Sequence, residues 1–92
     1  MSLIGANIVI TGHVQGVGFR HFCLVKASSL GVVGTVQNTQ DGSVVVHAHG
    51  KRSQIEALIN ELRIGPFNAT VSDVSVQWIT FSTAFQQFDI TH

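Results

Sequence analysis

This sequence has no surplus of either charge, little cysteine and no long apolar run, and each shortage excludes a class of protein. Its five Lys and Arg residues balance five Asp and Glu residues, so the formal net charge is zero, whereas nucleic-acid-binding domains usually carry a basic excess. The single cysteine, Cys23, cannot form an internal disulfide. No apolar stretch approaches the roughly 18 residues of a membrane span, and the N-terminus lacks the features of a signal peptide. We therefore expect a cytoplasmic protein with neither a nucleic-acid nor a membrane partner.

Apolar residues, in contrast, are plentiful. They make up 45% of the 92 residues, while charged residues make up 11%. This is enough apolar material to form a packed core, which excludes a disordered chain. The length fits one domain, residues 1–92, and leaves no room for two. Nothing in the composition calls for an oligomer, so we expect a monomer.

The hydrophobic periodicity predicts alternating strands and helices. Runs of β-branched or alternating apolar residues indicate strands at 7–14, 32–38 and 43–49, a fourth around Val74 to Trp78 and a short fifth at Phe88 to Ile90. Apolar residues at three- and four-residue spacings indicate a first helix from Phe19 to Leu30, ended by Gly31. Asp41-Gly42 predicts a hairpin in which both residues can adopt a positive φ.

The second helix has signals at both of its ends. Ser53 and Glu56 fit a capping box, and Gly65-Pro66 fits a helix stop. The resulting order is β-α-β-β-α-β plus a short final strand. It predicts an α+β, ferredoxin-like sandwich, in which two helices pack on one face of an antiparallel sheet. Because many functions share this fold, the function must be inferred from a site.

The segment from Gly12 to Arg20 contains the most informative pattern. A strand leads into a loop with Gly16 and Gly18, and the loop opens a helix. Free amides at a helix N-terminus bind anions, glycines allow such amides to converge, and Arg20 in the first turn could grip a phosphate at two points. The pattern lacks the Lys-Ser/Thr pair of nucleotide-binding phosphate loops and the third glycine of dinucleotide folds. The residues alone leave two interpretations open, an oxyanion cradle or a tight turn with a solvated arginine.

Two segments resemble the signatures of the acylphosphatase family. The first is Gly12-His13-Val14-Gln15-Gly16-Val17-Gly18-Phe19-Arg20, and the second runs from Gly31 to Val44 as G-x-x-G-x-V-x-N-x-x-D-G-x-V. The likeness extends more loosely over nearly the whole chain. It implies a hydrolase that cleaves acyl phosphates to a carboxylate and inorganic phosphate without a metal or another cofactor, and that phosphate and sulfate compete with the substrate.

The resemblance also implies residue roles. Arg20 and the loop amides of Gln15, Gly16, Val17, Gly18 and Phe19 would hold the phosphoryl group, and Asn38 would position the attacking water; Arg20 and Asn38 would be the catalytic residues. From the residues alone, Asn38 could equally be a turn residue before the hairpin. Many relatives end in a basic residue and a tyrosine, whereas this chain ends Phe88-Asp89-Ile90-Thr91-His92. This departure from the family's ending leaves C-terminal support of the site open, although it does not affect the site residues themselves.

Three other interpretations are open to the same fold. An RNA-recognition domain would carry stacking aromatics on its third strand, and this strand has none. A non-catalytic anion-binding or regulatory module would not need both Arg20 and Asn38. An acylphosphatase-like module related to carbamoyltransferase maturation proteins would be part of a longer chain.

The remaining titratable residues are expected to have ordinary roles. His47 and His49 share one face of a predicted strand and are expected to be partly exposed, because no third ligand stands nearby to make a metal site. His21 would add charge near the loop only at low pH. Cys23 falls on the apolar stripe of the first helix and is expected in the core.

Overall fold

Seven elements follow one another in the predicted order. The structure is a computed structural model that describes residues 3–80 and 85–92. Its elements are β1 (Ile4–His13), α1 (Phe19–Leu30), β2 (Val33–Asn38), β3 (Val44–Gly50), α2 (Arg52–Ile64), β4 (Thr70–Ile79) and β5 (Phe88–Ile90). The predicted ferredoxin-like α+β sandwich is thereby confirmed, together with its short final strand.

The strands form one five-stranded sheet in the order β4-β1-β3-β2-β5. β1 is antiparallel to both β3 and β4, and β2 is antiparallel to β3. The short β5 is parallel to β2, pairing Val36 with Ile90, so the sheet is mixed rather than wholly antiparallel. Because β1, β2 and β5 run in the same direction, their C-terminal ends lie at the same edge of the sheet.

A single apolar layer joins the sheet to both helices. Alternate residues of a strand point to one face, so β1 and β3 each bury every second side chain, with Ile8, Ile10, Val44 and Val46 fully buried. The helices meet this layer with the following residues: Phe19, Cys23 and Ala27 from α1, and Ile55, Leu58, Ile59 and Leu62 from α2. Cys23 is a core residue, as predicted, and burial raises the pKa of its thiol to about 12. Among the described residues, no helix is both long and apolar enough to cross a membrane.

The capping box predicted for the second helix is wrong. α2 begins at Arg52, with only Lys51 between it and β3, so Gln54 rather than Glu56 occupies the third helical position. Its Oε1 accepts a hydrogen bond of 3.0 Å from the Lys51 backbone N–H. Glu56 instead lies one turn after Arg52, with 3.4 Å between its Oε2 and the arginine Nε. The predicted stop is correct, because the helix ends at Ile64 before Gly65.

The hairpin between β2 and β3 is present but is built differently from the prediction. Only Gly42 has a positive φ there, at 93°. Asp41 contributes its carboxylate, which accepts hydrogen bonds from the Thr39 hydroxyl, from the Ser43 hydroxyl at 2.7 Å and from the Ser43 N–H at 3.1 Å. These bonds, led by the one from Thr39, lower the pKa of Asp41 to about 2. The turn is therefore held by a side chain as well as by backbone geometry.

The prediction of partly exposed histidines on β3 is correct for His47 and wrong for His49. His47 is half-buried, and its Nδ1 lies 2.5 Å from Asn7 Oδ1. His49 is buried because the ring of Phe85 packs against it, with 4.8 Å between ring centroids. Burial, followed by the neighbouring His47, lowers the pKa of His49. The described residues contain no group of three or more potential metal ligands.

Candidate active site

The edge where β1, β2 and β5 end carries a cavity of about 320 Å³. Each of the three strands leads into one part of its wall, because parallel strands deliver their following residues to the same side of a sheet. The lining residues are Val14, Gly16, Gly18, Phe19, Arg20, His21, Asn38, Ile90 and His92. The structure thus brings together Arg20 and Asn38, which are 18 positions apart in the sequence.

The loop after β1 turns into α1 through two glycines in left-handed conformation. Gly16 has a φ of 74° and Gly18 a φ of 80°, and Gly18 is the residue that precedes the helix. These values strain any residue with a side chain. A Cβ added at either glycine would meet no atom within 4 Å. Glycine is therefore required by the backbone conformation and not by steric crowding. The glycines therefore set the path of the loop and leave its concave side free of side chains.

The first turn of α1 presents unused hydrogen-bond donors. The amide of Phe22 donates to the carbonyl of Gly18 at 3.0 Å, so the amides of residues 19–21 precede this first helical hydrogen bond. Within the described ranges no side chain caps the helix, and its first turn contains no acidic residue. The positive end of the helix dipole is consequently free to attract an anion in the cavity.

The ionisable side chains that line the cavity are all basic. Arg20 is half-buried beside the loop, and His21 and His92 lie at the exposed rim. No lining residue has a carboxylate side chain. With the helix N-terminus, this arrangement favours a small anion over a cation or a neutral ligand.

Asn38 supplies an acceptor to a site that otherwise contains donors. It is the last residue of β2 and pairs with Val44 of β3. Its Oδ1 is buried and has no hydrogen-bond partner among the described residues, although buried polar atoms are normally paired. A carboxamide oxygen can only accept a hydrogen bond, so this atom can bind a water molecule or another donor that enters the cavity.

Gln15 and Val17, which were predicted among the phosphate-binding loop residues, do not line the cavity. Val17 packs against the hydrophobic core. The Gln15 side chain points to the β2–β3 connection, where its Nε2 donates to the carbonyls of Thr39 at 2.8 Å and Ser43 at 2.9 Å. Gln15 thus ties the glycine loop to the segment that follows Asn38. A role of either backbone amide in binding phosphate stays a prediction.

Replacing Gln15 with alanine is expected to lower the free energy of unfolding by about 1–3 kcal/mol, because it removes two hydrogen bonds that join the loop to the β2–β3 connection. The carbonyls of Thr39 and Ser43 each keep a backbone donor, Gly42 N–H and Thr39 N–H respectively. Urea denaturation measures the change. Gln77→Ala, at an exposed position on β4, is the matched control and should change stability by less than about 0.5 kcal/mol. Equal stabilities of the two variants would contradict the structural role of Gln15.

His92 was not foreseen as a site residue. Its Nδ1 lies 3.0 Å from Nη1 of Arg20, so the C-terminal segment does contact the site, although the sequence departs from the ending of many relatives. Only the parallel pairing of β5 with β2 places this residue beside α1. No local pattern in the sequence predicts the pairing of β5 with β2.

Comparison with known proteins identifies the family. A family model described as acylphosphatase matches residues 6–90. The chain is 46% identical over 85 residues to an acylphosphatase of Methanococcoides burtonii, covering 92% of this chain and 88% of that protein. The crystal structure of acylphosphatase from Bacillus subtilis superposes with a TM-score of 0.95 at 29% identity, covering 97% of this chain and 99% of that chain.

A longer protein contains a similar unit. The crystal structure of full-length HypF in its phosphate- and nucleotide-bound form superposes with a TM-score of 0.88 at 26% identity, but the match covers only 12% of that chain. The acylphosphatases of Methanococcoides burtonii and Bacillus subtilis, in contrast, match over most of their own length. From these matches and the cavity, we conclude that this chain belongs to the acylphosphatase family of hydrolases.

Proposed function

We propose that this protein hydrolyses acyl phosphates by holding the phosphoryl group with Arg20 and the loop amides of residues 15–19 while Asn38 orients the attacking water. The reaction gives a carboxylate and inorganic phosphate, the activity of the family to which the chain belongs. The observation that carries the proposal is that Asn38 lines the same cavity as Arg20 and that its buried Oδ1 has no hydrogen-bond partner within residues 3–80 and 85–92.

The phosphoryl group is bound by the positive charge of Arg20 and by oriented hydrogen-bond donors. The guanidinium of Arg20 can donate two hydrogen bonds to phosphoryl oxygens, and the free amides of the first helical turn are further donors. Phosphoryl transfer depends mainly on such positioning and on neutralising the charge of the equatorial oxygens. Inorganic phosphate and sulfate carry the same oxygens and are proposed to compete with the substrate.

The chemical step needs few groups because the leaving group is a good one. The oxygen of a water molecule that donates to Asn38 Oδ1 attacks phosphorus, and the bond between phosphorus and the acyl oxygen breaks. The electron pair leaves with a carboxylate whose conjugate acid has a pKa of roughly 4, so no general acid is required. An amide cannot take up the proton of the water, and we assign that proton to an oxygen of the substrate's own phosphate.

Two broader statements belong to the same proposal. Residues 1–92 would act as a single acylphosphatase-like domain, and the protein would be a monomer, which size-exclusion chromatography tests against the chain mass of 9.9 kDa. A cytoplasmic location is consistent with one cysteine that is buried and free. A non-catalytic anion-binding module would present the same cavity, but the family match favours the enzyme.

Hydrolysis of a simple aryl acyl phosphate by the purified protein tests the proposal directly. Activity is expected to survive exhaustive chelation, because the groups assigned to the phosphate are an arginine and backbone amides. The measurement compares kcat/KM before and after treatment with chelator, and again after divalent cations are returned. A loss of activity in chelator that Mg²⁺ or Zn²⁺ restores would show that the hydrolysis depends on a metal. No turnover under any of these conditions would favour the non-catalytic module.

A further inference from the structure

The end of the chain reaches the arginine that faces the cavity. Thr91 anchors this segment to β2, because its N–H donates to the Val36 carbonyl at 2.8 Å and its hydroxyl lies 3.0 Å from Gln37 Oε1. The next residue, His92, is thereby held beside α1, where Nδ1 of its ring lies 3.0 Å from Arg20 Nη1. No carboxylate within ion-pair distance of Arg20 occurs in the described part of the chain.

The chemistry of the two side chains assigns the direction of this hydrogen bond. A guanidinium has donors and no acceptor, so Arg20 must donate and His92 Nδ1 must accept. The imidazole can accept only when Nδ1 carries no proton. A protonated imidazole would lose the bond and also repel the guanidinium across the same distance. Arg20 is a long side chain that loses considerable rotamer freedom when it is held in one place, so a partner that already holds it lowers the entropy cost of gripping an anion.

We propose that His92 is a positioning residue whose neutral imidazole holds Arg20 in the orientation that grips the phosphoryl group, and whose protonation releases it. This inference rests on the proposed function, in which Arg20 binds the substrate. It adds a dependence on pH, because histidine changes its charge between about pH 5 and 8. His92 contacts the arginine and is not required to contact the substrate.

The groups around His92 limit what else could titrate in this range. From α1, Arg20 and His21 face the same cavity. From β2, Gln37 and Asn38 do not titrate, and residues 14–18, the loop between β1 and α1, carry no ionisable side chain. On β5, Asp89 is exposed and accepts a hydrogen bond of 3.0 Å from Gln87 Nε2. His21 and the phosphate of the substrate are therefore the two alternatives that an experiment must separate from His92.

His92→Asn and His92→Ala make the test. The amide oxygen of asparagine can take the place of Nδ1 as an acceptor, and it accepts at every pH. At pH 8, His92→Ala is expected to lower kcat/KM and the affinity for inorganic phosphate by about three- to tenfold, the scale of one hydrogen bond. His92→Asn should restore most of both losses. Between pH 8 and pH 5, kcat/KM of the original protein should fall by about three- to tenfold relative to His92→Asn. Dividing kcat/KM of the original protein by kcat/KM of His92→Asn, on the same substrate at each pH, cancels the effect of ionisation of the substrate's phosphate.

Two matched variants complete the design. His13→Asn replaces an exposed histidine that does not line the cavity. This variant should keep the acidic decline, that is, the fall of kcat/KM between pH 8 and pH 5 relative to His92→Asn. His21→Asn should keep it as well, and disappearance of the decline in this variant would assign the effect to His21 and overturn the proposal. If kcat/KM of the original protein divided by kcat/KM of His92→Asn stays constant or rises towards pH 5, the proposal is overturned too.

Phosphate binding separates this inference from the proposed function. If the original protein binds phosphate but hydrolyses no acyl phosphate, the proposed function fails. Isothermal titration with inorganic phosphate at pH 8 then still tests whether His92 positions Arg20. Equal phosphate affinities of the original protein and His92→Ala would refute the positioning role in either case.

Discussion

Arg20→Ala is expected to abolish measurable turnover and to weaken the binding of inorganic phosphate by at least tenfold. The substitution removes a fixed positive charge and a two-point grip from a cavity whose other described cationic groups are histidines. Hydrogen bonds from charged groups contribute about 1.5–3 kcal/mol each, and an arginine that stabilises a phosphoryl transition state changes rates by about 10³-fold or more. Steady-state kinetics and calorimetric titration with phosphate measure the two effects.

Two companion variants show whether charge alone is responsible. Arg20→Lys keeps the charge but loses the planar fork, so it should recover part of the phosphate affinity and little of kcat. Arg63→Ala, at an exposed arginine near the end of α2, removes an equal charge away from the cavity and should leave both quantities nearly unchanged. If folded Arg20→Ala kept kcat/KM within tenfold of the original value, Arg20 would not be the residue that holds the phosphoryl group.

Asn38→Ala is expected to lower kcat by about 10²-fold or more while phosphate affinity stays within about twofold. The magnitude is that of one well-placed polar group in a transition state, and the split follows because Asn38 is assigned to water and not to the phosphoryl oxygens. Stability should change little. The substitution removes Oδ1, a buried acceptor for which the described part of the chain provides no donor, so it breaks no hydrogen bond of that atom in the folded protein.

Asn60→Ala is the matched control for this substitution. Asn60 is exposed on α2, outside the cavity at the edge of the sheet, and its loss should affect neither kcat nor phosphate binding. Near-normal kcat in folded Asn38→Ala would show that Asn38 is only a residue of the β2–β3 hairpin. The water would then be oriented by another group, even if the hydrolase activity itself were present.

The roles of Arg20 and Asn38 differ in how much of their placement local sequence explains. Arg20 follows Gly18 by two residues, so any helix that begins after that glycine puts the arginine in its first turn. Asn38 shares no local pattern with Arg20. It reaches the same cavity because β1 and β2 both flank β3 and run parallel to each other. Only its match to a family signature marked it as a candidate in the sequence.

The sequence by itself determined the features that depend on neighbours in the chain. The glycines at 16 and 18, the apolar stripes of both helices, the stop at Gly65 and the alternating strands are all short-range patterns, and they predicted the element order correctly. The ends of elements were less well determined. The side chain that caps α2 belongs to Gln54 and not to Glu56, because the helix begins soon after the strand that ends at Gly50. The start of the helix therefore depends on the end of the preceding strand, which the capping pattern alone does not predict.

Tertiary structure alone decided the contacts between distant segments. The pairing of β5 with β2 brought His92 to Arg20, the approach of the glycine loop to the hairpin gave Gln15 its two carbonyl partners, and Phe85 buried His49. The partners in these contacts are 24 to 72 positions apart for the hydrogen bonds. Such contacts depend on strand order and on which face of the sheet is covered, and these properties arise only when the whole sheet has assembled.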